Sequence, residues 1–462
     1  MLRSRRAARF GRLVAASATL VLLLAGCATT AEPTDDETTD AEPADDAEPA
    51  DDEEAADDEE ATETSTEPIA IGFPVPVQSD AVNEGAGAQD VTVGDTQQQA
   101  QALVDDLNGR GGLAGRQVEP VWHEINVASP EGLEPQYEAA CATFTQDQPV
   151  FAVATTAQIP ASFRSCLEDA GLLLVLTGLT TSDAESLGAA PNTFEISLGL
   201  DQVADAIADE ILADPRDDMV VGIAAYDVPT FRRAADSLES QLTEAGVTVV
   251  ESAAVTEPQS EADFETVAGE AANAVLRFKD AGVTDVAFLE QGGGIPLFLL
   301  QAAEQQEFRP VYHLTTHDGG QALIPSLPPQ QLTGARLVSW LPVLDVGQTA
   351  APESPARTRC LDLLAAAGHQ FPDPNAELAA LAECDGLSLL EAALDGLEGE
   401  LTTESARAAI EGLADGYESA ITFQTRFGPD QHHGVAAYRL AEFGEACTCF
   451  EYTTDVTALR GG

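Results

Sequence analysis

The side chains in this 462-residue chain with the means to do chemistry are seven cysteines, six histidines and 79 acids, set against only 21 basic residues. Cys27 stands apart near the start, leaving Cys141, Cys166, Cys360, Cys384, Cys447 and Cys449. Six cysteines allow 15 pairings, and pairing sequence neighbours gives Cys141–Cys166, Cys360–Cys384 and Cys447–Cys449. The first two pairs would staple consecutive helices. The third closes a tight Cys-Thr-Cys loop, for which redox activity or metal binding is the alternative reading. His123, His313, His317, His369, His432 and His433 show no zinc-site spacing with a cysteine, so no metal site is expected. There is no Gly-x-Ser-x-Gly elbow, no Walker loop and no His-Glu-x-x-His. Gly85-Ala86-Gly87 lacks the third glycine of a dinucleotide fingerprint, and Gly292-Gly293-Gly294 has no basic residue nearby to help cradle an anion. In so acidic a chain, paired carboxylates alone do not point to glycosidase chemistry. The expectation is a protein without catalysis and without a cofactor.

The elements that must position these groups begin at Ile69. Residues 69–73 form a first strand candidate, and a helix follows around 96–108. The glycine-rich turn from Asn108 to Arg116 reverses the chain, because glycine tolerates positive φ. Residues 117–124 then alternate like a strand. Residues 150–154, 172–176, 220–225 and 286–289 are nearly continuous apolar runs, as expected of strands buried on both faces of a parallel sheet. Phe231, Leu238 and Leu242 recur at helical spacing before Gly246, and residues 247–250 resume a strand. Phe264, Val267, Ala271, Val275 and Phe278 form another helical stripe ending near Gly282. Residues 354–415 read as mostly helical. Residues 421–427 and 435–443 read as two strands flanking the turn Gly428-Pro429-Asp430-Gln431-His432-His433-Gly434. Repeated β-α units predict an open, doubly wound α/β architecture. In such a fold ligands bind beyond the carboxyl ends of the strands. The residues just past those ends are Thr156, Ala157 and Gln158; Gly178, Leu179 and Thr180; Tyr226; Glu290, Gln291 and Gly292; and His317 and Asp318.

Composition narrows the partners. The net charge of −58 argues against nucleic acid, whose phosphates require a basic surface. Lys279 is the sole lysine. Arg3, Arg5, Arg6, Arg9 and Arg12 precede a short apolar stretch from Leu13 to Leu24, too short to span a bilayer comfortably, so the start reads as an export signal. Its end, Leu24-Ala25-Gly26-Cys27, resembles the bacterial lipoprotein signal, in which the cysteine is lipidated and becomes the first mature residue. Residues 28–67 are rich in Ala, Thr, Asp, Glu and Pro and carry 19 acids and no base, so disorder is expected. Forty residues would stretch to about 140 Å, enough for a tether that lets the following body reorient.

The run Asn108…Gly111-Gly112-Leu113-Ala114-Gly115-Arg116-Gln117-Val118-Glu119 is similar to the signature after the first helix of type I periplasmic binding proteins of the branched-chain amino acid receptor family. The likeness continues from Cys141 to Thr181, through a strand ending Ala154-Thr155-Thr156-Ala157-Gln158, and returns at the late hairpin. The resemblance implies two Rossmann-like lobes with parallel sheets, joined by a three-strand hinge. One lobe would hold residues 68–197 plus 338–420, the other 198–337 plus 421–462. It also implies a monomer that binds a small-molecule ligand between the lobes and docks onto an ABC permease in the membrane. By this likeness the neighbourhoods of Ala157 and Thr180 would hold a ligand carboxylate, and Tyr226 or Phe231 would form a stacking wall. The stretch around His317–Asp318 would meet an ammonium. Thr180 is the leading single candidate. The sequence departs from the pattern at Thr156-Ala157-Gln158, where amino acid receptors offer serines. It departs again at Thr177-Gly178-Leu179-Thr180, which lacks the Ser-Pro start, and at Thr92-Val93-Gly94, which lacks the aromatic. An amide, a urea-like compound or another small polar solute is as open as an amino acid. The expected role is delivery of such a solute to an ABC importer. The alternatives are a sensory lipoprotein of the same fold and an exported hydrolase using Glu290 or Asp318.

Overall fold

The computed structural model describes residues 67–85, 92–180, 182–250, 252–346 and 353–460. The export signal, Cys27, the spacer as far as residue 66 and Ala86-Gly87 lie outside them. The chain alternates β and α from the outset. Strand β1 (Ile69–Val77) leads into α1 (Ser79–Gly85) and α2 (Thr96–Arg110), then β2 (Val118–Asn126), α3 (Glu134–Ala142) and β3 (Ala152–Thr155). Next come α4 (Ala161–Asp169), β4 (Leu173–Thr177), α5 (Ala184–Gly188) and β5 (Thr193–Ile196). These five strands form one sheet in the order β2-β1-β3-β4-β5, parallel throughout. Strands β3, β4 and β5 are buried at every residue, which accounts for the nearly continuous apolar runs of β3 and β4.

A second set follows: α6 (Leu200–Ala213), β6 (Val220–Tyr226), α7 (Pro229–Glu244), β7 (Thr248–Val249), β8 (Ala253–Val255) and α8 (Phe264–Ala281). It continues with β9 (Asp285–Leu289), α9 (Gly294–Gln305), β10 (Val311–Thr315), α10 (Gly320–Leu323) and β11 (Arg336–Ser339). The chain then passes through α11 (Pro342–Asp345), α12 (Pro355–Ala366), α13 (Pro374–Leu394) and α14 (Thr403–Gly412) before β12 (Ala437–Gly444), β13 (Cys449–Tyr452) and β14 (Thr457–Ala458). The second sheet has nine strands, with β13-β12-β11-β10-β9-β6-β7 as its path and β8 and β14 on β6 and β12. Helices α12, α13 and α14 do not stay with it. They pack with α2, β3 and β4 on the first sheet. The chain thus passes between the two sheets three times, and two of the crossings meet. Gly434 donates its N–H to the Glu195 carbonyl (2.6 Å) and the Glu195 N–H bonds the His432 carbonyl (2.9 Å).

Local chemistry sets the element ends. Asp95 caps α2 by accepting from the Gln98 N–H. Gly282 ends α8 in the left-handed region with φ 75°. In the turn after α2, Gly112 has φ +78°, and a Cβ there would sit 1.9 Å from the Arg116 carbonyl oxygen, so only glycine fits.

Three expectations need correction. The second sheet is not parallel throughout, because β12 runs antiparallel to β11 and carries β13 and β14 antiparallel to itself. Residues 421–427 are not a strand. The turn closes through isolated bridges, Thr425 to Val435 and Gly428 to Gln431. The backbone before it is spent on side chains: the Ala420 N–H bonds Asp385 (2.8 Å), and the Ile421 and Thr422 N–H groups bond the Ser419 hydroxyl. Finally, 247–250 is only the two-residue β7, and the edge continues after it as β8. No helix among the described residues is long and apolar enough to cross a membrane.

Candidate functional site

The carboxyl ends of the two sheets approach each other. A Cβ on Gly292, after β9, would lie 3.7 Å from the Gln158 side-chain nitrogen, after β3. The backbone of Thr180, after β4, lies beside the His317 imidazole, after β10. Arg233 of α7 donates to Asp183, ahead of α5 (2.7 Å), and also faces Glu185 (3.4 Å). The strand-end residues read from the sequence therefore converge, although they differ in exposure. Gln158 and Gly292 are exposed, while Thr156, Ala157, Leu179 and Gln291 are half-buried. Gly178, Thr180, Tyr226, Glu290, His317 and Asp318 are buried. Phe231 lies in the first turn of α7, 1% exposed, with its ring edge-on to Tyr226 at 5.6 Å. A cavity of about 690 Å³ lies elsewhere, lined in part by Pro342, Arg357, Tyr417, Thr422 and Arg439 near the crossing segments.

On the first sheet the hydroxyls are already engaged. Thr156 donates to Glu383 of α13 (3.1 Å), and Thr180 donates to Glu195 of β5 (2.7 Å). Ser182 and Arg164 also donate to Glu195. Burial pushes the Glu383 carboxyl up to about 7, with the Thr156 bond opposing. Asp183 fills the start of α5 by accepting from the Ser186 N–H (2.9 Å). Burial works against its charge, but the Ser186 bonds and Arg233 prevail, and its pKa falls.

On the second sheet Glu290 accepts from the Gly293 N–H (2.9 Å) and, more weakly, the Ile295 N–H (3.4 Å), at the start of α9. Asp318 accepts from the Thr315 N–H and hydroxyl. The two carboxyls act on each other. Burial first, and then the neighbouring Glu290 charge, hold Asp318 well above the usual carboxylate range. Burial lifts Glu290 to about 7. Tyr226 sits over this pair, its phenol raised by burial and by the charges of Glu290, Glu257 and Asp318. A Cβ on Gly294 would lie 2.6 Å from the Tyr226 hydroxyl, so glycine there lets the ring reach the helix start. Burial likewise raises Glu257, which accepts from Gln291 (3.2 Å). Desolvation lowers the His317 imidazole to about 4. Its ring packs edge-on against Trp340 at 4.9 Å. The His317 Nε2 and the Trp340 indole N–H are buried here without a hydrogen-bond partner, while Asp318 shares a side-chain hydrogen bond with Glu290.

The full match is to a family model described as a periplasmic binding protein, over residues 68–448. The chain belongs to the periplasmic binding protein family. These are solute-binding proteins, and the two sheets with their three crossings are the type I form of that fold. No curated protein sequence matches the chain. Among solved structures, the chain is similar to a solute-binding protein of an ABC transporter from Rhodopseudomonas palustris HaA2, crystallised with p-hydroxybenzoic acid. Identity is 17%, coverage 85% of this chain and 97% of that one, and the TM-score 0.62. It is also similar to a branched-chain amino acid transporter substrate-binding protein from Streptococcus pneumoniae in complex with isoleucine, at 15% identity, 85% and 99% coverage and a TM-score of 0.60. A third is a possible leucine/isoleucine/valine-binding protein from Rhodopirellula baltica SH 1, at 12% identity, 85% and 98% coverage and a TM-score of 0.61.

The strand-end reading did not include Glu195, Glu383, Asp183, Arg233, Glu257 or Trp340. Two of these carried a signal. Glu383 interrupts the apolar run Ala379-Ala380-Leu381-Ala382, and Glu195 stands between Phe194 and Ile196 in a strand. A lone acid in a buried run needs partners, and those partners are the site hydroxyls. Elsewhere, Cys447, Cys449 and Glu451 bring donor atoms within 4.8 Å of one another, the one such metal-compatible group among the described residues.

Proposed function

We propose that this protein is an extracytoplasmic solute receptor, anchored by a lipid on Cys27, that delivers a small polar solute to the permease of an ABC importer. The observation carrying this reading is the convergence of Gln158 with Gly292, and of Thr180 with His317, from the carboxyl ends of two separate sheets. A small molecule held there touches both halves and stabilises their approach, which is how binding is converted into a shape a membrane partner can read. Family membership supports export and solute binding. The structural neighbours named for ABC transport support the importer. The lobes in this reading are residues 68–197 with 338–420, and 198–337 with 421–462. Packing of α12, α13 and α14 on the first sheet supports that division. The chain acts as a monomer and without catalysis.

The cysteine pairs fit the same compartment. Cα separations are 6.4 Å for Cys141 and Cys166, 6.2 Å for Cys360 and Cys384, and 5.2 Å for Cys447 and Cys449. All three lie within the span of a disulfide, and exported proteins retain such bonds. For Cys447 and Cys449 this favours a disulfide over a metal ligand pair.

Two measurements test the proposal. A thermal-shift screen of the purified full-length chain against amino acids, amides, amines and organic acids is expected to show stabilisation by one solute class with no turnover of it. No shift across the whole library overturns the receptor reading. Replacing Cys27 with Ser is expected to move the protein from the membrane fraction to the soluble one, and continued membrane association after that change overturns the lipid anchor.

A further inference from the structure

We infer that the chain carries a second ligand site, on the crossing segments rather than at the strand ends, and that it takes a small organic carboxylate with an apolar body. The site is the cavity of about 690 Å³, a volume in the range of small-molecule pockets. Elements of both sheets and two of the crossings wall it. Pro342 and Val343 belong to the second crossing and Phe423 to the third, while Ser354 caps α12 beside the first sheet. Arg439 and Ala458 come from β12 and β14 of the second.

Arg439 sets the charge of the ligand. In a chain with 79 acids and 21 bases, an arginine on a cavity wall is expected to be bonded to a carboxylate. Two others on these walls are: Arg357 pairs with Glu377, and Arg426 with Asp415 at 2.6 Å. Arg439 is half-buried and pairs with no acid among the described residues. Its Nε donates to the Thr454 carbonyl (2.8 Å), and its guanidinium lies 3.9 Å from the centre of the Tyr452 ring. That ring is fixed in turn by Phe423, edge-on at 5.9 Å, and by the Ser339 hydroxyl at 3.3 Å from its own. Stacking and a backbone carbonyl thus hold the guanidinium in one orientation without occupying its Nη groups or cancelling its charge. An arginine held in that way is suited to receive an external carboxylate through two parallel N–H bonds. Thr422 lines the same cavity, 9% exposed, with a buried hydroxyl that has no partner. Glu353 and Glu418 stand exposed at the rim, where water and salt screen them. Pro342, Val343 and the half-buried Phe423 offer an apolar surface to the rest of the ligand.

Occupancy bears on the strand ends. Trp340, two residues before Pro342, packs against His317, and Thr316 donates to Asp345 at the end of α11 (2.6 Å). A molecule touching α12 on one side and β12 and β14 on the other favours the arrangement of the two sheets in which it fits. Its binding is expected to tighten solute binding, and the solute to tighten its own by the same factor. The site stands apart from the receptor reading, and only this coupling rests on it.

The test uses the full-length chain with hexanoate and benzoate as probes, and with hexanamide and benzamide, similar shapes without charge, as controls. Calorimetry is expected to show binding of a carboxylate and of neither amide. Arg439→Gln is expected to weaken that binding at least tenfold, whereas Gln158→Trp, which fills space between the strand ends, leaves it within twofold. Should Arg439→Gln fail to fold, Ala458→Glu sets a like charge on the wall from an exposed position and is expected to give the same loss. Carboxylate binding lost in Gln158→Trp and unchanged in Arg439→Gln places the anion at the strand ends and overturns the second site. Binding of neither carboxylate, or of the amides equally well, overturns it too. For a solute found by the screen, an affinity at least twofold higher in saturating carboxylate supports the coupling, and an unchanged affinity overturns it. If the library yields no stabilising solute beyond carboxylates that depend on Arg439, the receptor reading falls and this site stands.

Discussion

At the scale of single residues, buried charge governs what this protein tolerates. His313 of β10 lies between two acids, its Nε2 2.9 Å from Asp285 and its Nδ1 against Glu210. Arg216 and Arg336 close the group from outside by pairing with Asp285 and Glu210. Burial alone would lower the imidazole pKa. The Glu210 charge and the hydrogen bonds to both acids outweigh it and raise the pKa to about 9. A histidine raised above its unfolded value near 6.5 stabilises the fold fully below about that pH, and the contribution is lost as pH rises through about 9. The two acids are shifted downward, so their contribution is lost only as pH falls through the carboxylate range. The stability of the native chain is therefore expected to decline between about pH 7 and pH 9.5, and His313→Gln is expected to remove that slope. The substitution should cost on the order of 3 kcal/mol near neutral pH, because it leaves two buried carboxylates with one partner fewer. Urea unfolding of both proteins across the range decides it, and an equal slope in the variant would mean that His313 does not titrate there. The positions of Glu290 and Asp318 at strand ends were legible in the sequence, because period and apolar runs fix where strands stop. Their joint burial was not, since it depends on Tyr226 and α9 folding over them from other parts of the chain.

At the scale of elements, the sequence was most legible where burial is complete. Strands β3, β4, β6 and β9 announce themselves as apolar runs because both faces are covered. It was least legible where backbone groups bond side chains instead of a ladder. Residues 421–427 have the composition of a strand, yet Asp385, buried inside α13, takes the Ala420 N–H and the Tyr417 hydroxyl (2.6 Å). No local pattern announces a partner 35 residues away. Where the crossings meet, fit becomes steric. Gly199, the residue before α6, has an ordinary φ of −66°, so alanine meets no backbone penalty there. Its added Cβ would lie 2.5 Å from the His433 ring. That ring is 6% exposed and wedged beside Glu195, 3.8 Å away. Gly199→Ala is expected to destabilise by about 1–3 kcal/mol, as overpacking does. His433→Ala costs stability of its own. In the double variant the two losses should add to less than their sum, because removing the ring removes the clash. Strict additivity in a denaturation cycle would show that the ring moves aside without cost.

At the scale of the whole molecule, the question is what holds the two sheets in this approach. The apolar core is one large cluster that includes residues of both sheets, with a smaller one around Tyr137, Phe144 and Phe163. Polar contacts also link the two sheets. Arg233 is the clearest, because it links α7 of the second sheet to Asp183 and Glu185 ahead of and within α5. Its side chain is 40% exposed, so the pair is worth about 0.5–1 kcal/mol at most, despite the near-complete burial of Asp183. A contact present only when the sheets approach biases that equilibrium by its own free energy and no more. Arg233→Ala is therefore expected to weaken binding of the solute found by the screen by about two- to fivefold at low ionic strength. The difference should shrink toward nothing in about 1 M salt, where surface charges are screened. Global unfolding stability should change by less than about 1 kcal/mol, because the residue touches neither core. Asp183 is the wrong partner to remove, since it also caps α5 through the Ser186 N–H, and its loss would mix helix stability with closure. Calorimetry at two salt concentrations separates the outcomes. A weakening that persists undiminished in high salt would assign Arg233 to the solute itself, and equal affinity at low salt would remove it from the closure mechanism altogether.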